Sequence, residues 1–433
     1  MRSKYDVGVV GGAGHVGIPL SLVLADRGLR TLIYDINPVA LKELEAGRLP
    51  FIEEGGEELL RKALAEGTLG FSQDAADLRG IPAVVVTIGT PIDEFHNPNF
   101  TLLTKCIDAL LPHLEPNQTM ILRSTVAPGV TDFLERYLRR RGSKVGLAFC
   151  PERVVQGKGI SEIQTIPQFV AATSPKAARV ARGIFSKISP QVIDMKPTEA
   201  EFAKLICNTF RYMTFAATNQ LYMMCAHAGI DYNGLLEKVR QGYPRMSYIP
   251  GPGFAAGPCL MKDTMQLFAF GRHSFPLGQM AMTINEGLPN FIVDQLRHRM
   301  RLTGKKVGIL GMAFKAESDD IRDSLSYKLG KILRFEGADV SYSDEHVKDP
   351  TFISKEELCQ RAEIIIVGVP HKAYSGLIIN PSTEVIDLWG ILPRTRQGRS
   401  KRGGRSGGIP EFPAPLPGNG NRRPQRAGKK SGL

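Results

Sequence analysis

The sequence predicts an α/β protein: two doubly wound parallel-sheet domains, a central helical domain between them, and a basic C-terminal tail read as disordered. Three observations predict it. Short apolar runs alternate with amphipathic stretches in the first part of the chain. From Thr198 to about Met300 the pattern is helical. At "KKVGILGMAF" the strand-turn-helix rhythm restarts.

In the first domain, expected over 1–197, the runs "DVGVVGG", "RTLIYDI", "AVVVTIG", "QTMILRST" and "VGLAFCP" read as strands. Stretches such as "VGIPLSLVLADRG" and "TDFLERYLRRRG" read as the helices between them, which makes the sheet parallel and covered on both faces. The central domain, 198–300, opens with one long helix from Thr198 to about Ala228, for which Thr198 and Glu201 spell a capping box. The second α/β domain, 301–392, adds "ADVSYSDEH", "AEIIIVGVP" and "TEVIDLWG", the last strand finishing near Leu392. "VGVVGGAG…LIYDIN" and "VGILGMAF…VSYSDEH" form an internal echo between the two ends.

The chain has 433 residues, 42% hydrophobic and 23% charged, the profile of a multi-domain globular protein. No apolar run reaches bilayer length, and a strand begins almost at once, so neither a membrane span nor a signal peptide is expected. Six scattered cysteines form no CxxC pair, so neither disulfide framework nor metal site is expected, and the cytoplasm is the expected compartment. The net charge of +12 resides in one place. Residues 391–433 carry 11 Lys and Arg against Glu411, a net of +10, which leaves +2 for the rest. The tail, 393–433, therefore reads as a solvated extension, with contact to a nucleic acid as its alternative. The body carries no such footprint.

A glycine loop points to the cofactor. Gly12, Gly14 and Gly17 form GxGxxG after a strand and before a helix, with His15 and Val16 in the same loop. The first glycine permits the turn, the second lets backbone approach a pyrophosphate, and the third lets helix pack on strand. Asp35 ends the next strand, where a carboxylate accepts from ribose hydroxyls and repels a 2′-phosphate, favouring NAD.

The chemistry centres on "GPGFAAGPCLMKD". Pro258 suits the first turn of a helix, so Cys259 falls at that helix's N-terminus. The dipole and neighbouring lysines are then expected to lower the thiol pKa and make it a nucleophile. Taken alone, such a cysteine is more often a small buried hydrophobe. Lys204 and Asn208 stand at i and i+4 in an otherwise apolar helix. Such a lysine either meets an anion or carbonyl or snorkels to solvent. Thr90, Thr125 and Glu152 follow predicted strands, at the sheet edge where open α/β proteins bind ligands.

With "GTPID", "STVAPG", "PERV", "AKLICNTFR" and "GMAFKAESDDIRDS", the chain resembles the UDP-glucose/UDP-N-acetylmannosamine 6-dehydrogenases over nearly all of residues 5–392. The resemblance implies an NAD-binding Rossmann domain, a central domain that dimerises, and a Rossmann-like UDP-binding domain. It makes Cys259 the nucleophile and gives Lys204 and Asn208 the oxyanion. Thr125 and Asp263 would organise water and protons, and Glu152 would assist hydrolysis. Thr90, Lys262 and Arg322 would touch NAD, as would Thr125 and Glu152. Lys315, Ile249, Pro250, Gly251, Gly253 and Gly257 would hold the UDP-sugar, with Arg245 reaching phosphate across a subunit boundary. The implied reaction is a four-electron oxidation of a C6 alcohol to a uronic acid through a cysteine thiohemiacetal and thioester, feeding polysaccharide synthesis. "AAGPC" and "CPERVVQGKGISEIQTIPQFV" lean toward a UDP-N-acetylmannosamine-type substrate, with UDP-glucose as the alternative. A single-step β-hydroxyacid dehydrogenase is a further alternative, but it needs neither Cys259 nor a second α/β domain.

Overall fold

The computed structural model describes residues 3–392. The tail expected at 393–433 lies outside the described residues. The first sheet has eight strands: β1 (Val7–Val10), β2 (Thr31–Tyr34), β3 (Leu69–Ser72), β4 (Ala83–Val86), β5 (Thr119–Leu122), β6 (Gly146–Phe149), β7 (Gln168–Ala172) and β8 (Val192–Met195). Their order is β3-β2-β1-β4-β5-β6-β7-β8. All neighbours are parallel except β6 and β7, which pair antiparallel through Ala148↔Ala172 and Phe149↔Ala171. Chain direction reverses its progress across the sheet between β1 and β4, the crevice where such sheets bind ligands.

Both faces are covered. Val7, Val9, Ile33, Val85 and Ile121 enter one apolar cluster, whereas Val10, Leu32, Val84, Val86 and Met120 enter another. This is the period-two alternation of a strand whose two faces each carry helices. The five apolar runs read from the sequence all form strands; β3, β7 and β8 are additional. β3 (LGFS) and β8 (VIDM) sit at the sheet's edges and are only partly buried, so they needed no continuous apolar run.

The central domain rests on the long helix Pro197–His227, the helix Leu260–Phe270 and the helix Pro276–Arg299, which pack together. The long helix starts one residue earlier than expected, and its cap differs. Glu199, not Glu201, reaches back to the Lys196 N–H at 3.0 Å. Glu201 lies fully buried on the inner face and accepts from the Gly129 N–H (2.6 Å), the Thr131 N–H (2.7 Å) and the Thr131 hydroxyl (2.6 Å). It therefore caps the neighbouring helix Val130–Arg140, whose own N-cap is a glycine without a side chain.

The second sheet runs β10 (Asp339–Ser343), β9 (Lys306–Leu310), β11 (Ile364–Val367) and β12 (Glu384–Ile386), all parallel. β12 ends six residues before Leu392, because the Asp387 carboxylate gathers the N–H groups of Trp389, Gly390 and Leu392 into a turn. The internal echo is structural. Asp35 follows β2 and accepts from Ala13 N (3.0 Å), while Asp344 follows β10 and accepts from Met312 N (2.6 Å) and Ala313 N (3.0 Å). Asp344 is sealed beneath the fully buried His371, so in the second domain this aspartate holds the loop alone. Gly311 has φ +92, and a Cβ there would lie 2.6 Å from Val369, which makes that turn structural as well. Among the described residues no helix is long and apolar enough to cross a membrane, and all six cysteines are free.

Candidate active site

The C-terminal ends of β1, β2, β4, β5 and β6 converge on one edge of the first sheet. The glycine loop fits a dinucleotide there. A Cβ on Gly12 would meet Val9 O at 2.7 Å, and one on Gly17 would meet Gly12 Cα at 2.5 Å, so the fold itself demands both glycines. A Cβ on Gly14 meets only Gly11 O, at 3.4 Å. The fold does not need Gly14 bare. The helix that follows, Gly17–Asp26, has no side chain capping its start, which leaves N–H groups for phosphate oxygens. Asp35 takes one N–H on each oxygen, from Ala13 and Asn37, and each oxygen keeps capacity for a ribose hydroxyl. His15 packs on Phe51 with ring centroids 3.9 Å apart. Its Nδ1 lies 3.1 Å from Gln156 Nε2, and Gln156 also donates to Asp320 Oδ2 at 3.0 Å. The nucleotide loop is thus tied to the second α/β domain. At the same edge the Thr90 hydroxyl donates to the Thr125 carbonyl, joining the loops after β4 and β5.

Cys259 is the N-cap of the helix Leu260–Phe270, with Pro258 just outside it. It is exposed, on the wall of a cavity of about 270 Å³ that Lys204, Asn208, Gly257, Phe314, Lys315 and Trp389 also line. Lys204 and Asn208 are buried, each 7% exposed. Among the described residues Lys204 has no hydrogen-bond or ion-pair partner, and it lines the cavity. Asn208 Nδ2 donates to Asp263 Oδ2 (2.6 Å), and Lys262 Nζ donates to Asp263 Oδ1 (2.8 Å). Asp263 is fully buried and fixes both donors. Among the described residues three cations, Lys204, Arg211 and Lys315, line the cavity, and no carboxylate does. It is built for an anion.

The thiol does not have the lowered pKa expected from the sequence. Burial within the cleft walls, and then the Asp263 carboxylate, hold it above its ordinary value; Lys204, Lys262 and Arg322 oppose them without prevailing. The side chain is accessible, but protein on both sides of the cleft withdraws bulk water from the sulfur, which penalises thiolate. Burial, joined by one carboxylate a helical turn away, outweighs the neighbouring cations.

Other expected residues fall elsewhere. Glu152 is outside the cavity lining: its Oε2 accepts from Arg123 Nη2 (2.5 Å) and Nε (3.1 Å), and its Oε1 from the N–H groups of Arg153 (2.7 Å) and Val154 (3.1 Å). Arg322 is paired with Asp320 at 2.6 Å, and its charge acts on Cys259. Thr125 sits at the sheet edge, apart from the cavity lining. Arg245 is exposed beside the Tyr243 ring, 5.8 Å from its centroid, and does not line the cavity. Ile249 is held by Arg240 through its carbonyl, and Pro250 and Gly251 are half-buried beside it. Gly253 and Gly257 have a reason other than ligand approach: a Cβ would meet the Trp389 ring at 2.2 Å and the Phe314 ring at 2.4 Å.

Three residues escaped the sequence reading. Arg123, fully buried, joins Glu152 to Gln168 Oε1 (2.9 Å) and the Cys150 carbonyl (3.0 Å). Asn219 donates to Gly253 O (3.0 Å) and accepts from Gly253 N (2.9 Å), and Asn285 supports it at 2.9 Å. The signal for Asn219 was available: Lys204, Asn208, Tyr212, Ala216 and Asn219 form one buried stripe at helical spacing.

This edge and this cavity define an NAD-dependent oxidoreductase with an anionic substrate site between two α/β domains. Comparison with known proteins gives the family. The chain matches the UDP-glucose/GDP-mannose dehydrogenase family over its NAD-binding domain (6–189), central domain (198–287) and UDP-binding domain (308–394). It belongs to that family, an NAD-dependent nucleotide-sugar dehydrogenase with NAD as cofactor. It is 27% identical over 378 residues to the UDP-N-acetyl-D-mannosamine dehydrogenase of Pyrococcus horikoshii, covering 84% of this chain and 90% of that one. It is 26% identical over 411 residues to the NDP-N-acetyl-D-galactosaminuronic acid dehydrogenase of Ralstonia solanacearum, covering 89% and 96%. A solved Pyrococcus horikoshii UDP-D-ManNAc dehydrogenase superposes with TM-score 0.83 at 25% identity, covering 90% and 97%. A Pyrobaculum islandicum UDP-glucose dehydrogenase superposes with TM-score 0.81 at 24% identity and shares the fold.

Proposed function

We propose that the protein oxidises the C6 alcohol of a UDP-hexose, of the UDP-N-acetylmannosamine type, to the uronic acid in two NAD-dependent steps on Cys259. The carrying observation is the cavity in which Cys259, Lys204 and Asn208 face one another with no carboxylate in the wall. The names of the similar enzymes from Pyrococcus horikoshii and Ralstonia solanacearum favour an N-acetylated sugar over glucose. NAD, held by Gly12, Gly14, Gly17 and Asp35, supplies the hydride acceptor for each oxidation.

The chain's own residues do the rest. Lys204 and Asn208 donate to the substrate oxygen as it gains negative charge, and Asp263 keeps Asn208 oriented for this. The first oxidation leaves a C6 aldehyde. The Cys259 sulfur bonds to that carbon as the carbonyl π bond opens and the thiol proton passes to the former carbonyl oxygen, giving a thiohemiacetal that cannot diffuse away. The second oxidation removes its C–H as hydride and leaves a thioester. Water adds to the thioester carbonyl, the C–S bond breaks, and the thiolate regains a proton as the carboxylate departs. In total, one alcohol and one water yield one carboxylate for two acceptors reduced. Asp263 and Thr125 handle water and protons, Glu152 assists hydrolysis, and Lys262 and Arg322 attend the cofactor.

We also propose the segmentation 1–197, 198–300 and 301–392, a cytoplasmic location, a role in polysaccharide synthesis, and a homodimer built on the long helix. Ile206, Phe210, Leu221 and Met224 are each about half exposed, on the face nearly opposite the Lys204 stripe. Such a dimer would bring Arg245 toward a neighbouring site. Purified protein with NAD and a panel of UDP-sugars tests the reaction. Two NADH per sugar support it, and one NADH with a free aldehyde sinks the covalent route. Cys259→Ser should bind substrate and form no uronate. Light scattering gives the oligomeric state.

A further inference from the structure

Gln156 lines the cavity yet has no part in the chemistry above. Its side chain bridges two domains through a single atom. Nε2 lies 3.1 Å from His15 Nδ1, in the glycine loop, and 3.0 Å from Asp320 Oδ2, in the second α/β domain. Asp320 is buried and also accepts from Arg322 Nη2 (2.6 Å) and Nε (3.0 Å). Burial disfavours its charge, but the bonds from Arg322 and Gln156 outweigh that and hold its pKa low. A carboxylate only accepts, so the amide nitrogen has to face it, and that nitrogen's second N–H is left for His15 Nδ1. His15 is therefore a neutral imidazole accepting on Nδ1. Burial, and then Arg322, hold its pKa below the ordinary value, with Asp320 and Asp319 opposing, which agrees with a neutral ring. Flipping the amide would set its carbonyl oxygen against both the Asp320 carboxylate and the Nδ1 lone pair, so the bridge has one arrangement.

The connection continues beyond Asp320. Its carbonyl accepts from Phe314 N (2.8 Å), and the Asp323 carbonyl accepts from Gly257 N (3.3 Å), two residues before Cys259. The loop shaped for the cofactor's phosphates is thus joined, through one amide, to the segment that braces the cysteine loop. We propose that Gln156 is a positioning residue that couples the cofactor loop to the second α/β domain, so that a nucleotide sugar bound there tightens the hold on the dinucleotide. The nucleotide-sugar half of this rests on the reading above. Without the bridge each ligand orders only its own side. With it, fixing the second domain already orders part of the Gly12–Gly17 loop, and the effect is reciprocal because the coupling free energy belongs to both sites.

The test is NADH binding to the full-length chain, read by NADH fluorescence, with and without saturating UDP. Wild type should bind NADH about fivefold or more tightly with UDP present, and UDP should gain the same factor from NADH. Gln156→Leu fills similar space with no donor and should bring that factor to about one. His15→Phe keeps a ring to stack on Phe51 but has no Nδ1, and should do the same; its own effect on NADH affinity cancels in the ratio. Both changes cut one link, so the double variant should lose nothing further. Gln156→Lys keeps a donor for each acceptor and should retain part of the factor. A side chain that only stabilised the fold would lower the unfolding midpoint and leave the ratio intact. A ratio in Gln156→Leu equal to that of wild type would overturn the proposal, as would a wild type whose NADH affinity ignores bound UDP. A wild type that binds NADH but, by calorimetry, no UDP would bring down the nucleotide-sugar reading and the coupling with it, and the calorimetry tells that failure from the other two.

Discussion

Replacing Asn219 by alanine tests whether the loop before Cys259 is held from the long helix. Asn219 is fully buried and makes three hydrogen bonds: to Gly253 O (3.0 Å), from Gly253 N (2.9 Å), and to Asn285 Oδ1 (2.9 Å). Alanine leaves all three partner atoms buried without that contact. At about 1–3 kcal/mol for each orphaned group, less what partial water entry restores, the expected local cost is about 4 kcal/mol. Trp389 reports on this directly, because its ring covers Gly253 so closely that no Cβ fits between them. Urea or thermal unfolding followed at Trp389 should therefore show a transition well below that of wild type, with uronate production reduced alongside it. A double-mutant cycle sharpens the test. Asn285→Ala removes one of the atoms that Asn219→Ala orphans, so the double variant should cost about 1–2 kcal/mol less than the sum. Full additivity, or an Asn219→Ala shift under about 1 kcal/mol, would refute the reasoning that this clamp sets the loop.

Three further outcomes follow from the geometry. Gly14→Ala should fold like wild type and lose NAD affinity, whereas Gly17→Ala should lose stability, since its Cβ falls 2.5 Å from backbone; calorimetric NAD titration and melting curves separate them. For Cys259, alkylation followed by peptide mass spectrometry (needed because Cys207 is also exposed) should rise only above the usual thiol range of about 8.5. Asp263→Asn should move that midpoint to lower pH by removing the neighbouring negative charge; an unmoved or higher midpoint would count against the Asp263 contribution. Asp344→Ala should destabilise the second α/β domain. Burial disfavours the Asp344 carboxylate's charge, but His371 and the N–H groups of His346 and Val347 outweigh it and hold the pKa well below the usual carboxylate range. The stability it contributes is present above the unfolded value of about 4 and fades as pH falls through the depressed one, so the gap between variant and wild type should narrow only in acid.

Much of the fold was legible because strand and helix leave different periods in the chain. β1, β2, β4, β5 and β6, and all four strands of the second sheet, lie within apolar runs quoted from the sequence. β3 and β8 were not read, since partly buried edge strands carry no long apolar run; β7, four of its five residues buried, was not read either. The capping box was misread because Thr198 and Glu201 have the right spacing, yet Glu201 faces inward to a helix seventy residues earlier in the chain.

What the sequence by itself determined is everything carried by local spacing: the GxGxxG loop with Asp35, the Lys204–Asn208 pair on one helical face, and the cysteine at a helix start. These are short-range consequences of backbone geometry, and the chain states them outright. Only the tertiary structure decided the electrostatics and the closure of the site. Asp263 raising the Cys259 thiol, Arg123 claiming Glu152, and Trp389 rather than a ligand excluding a side chain at Gly253 all depend on groups far apart in sequence. Such terms follow from distance in space and loss of water, and neither is written in the order of residues.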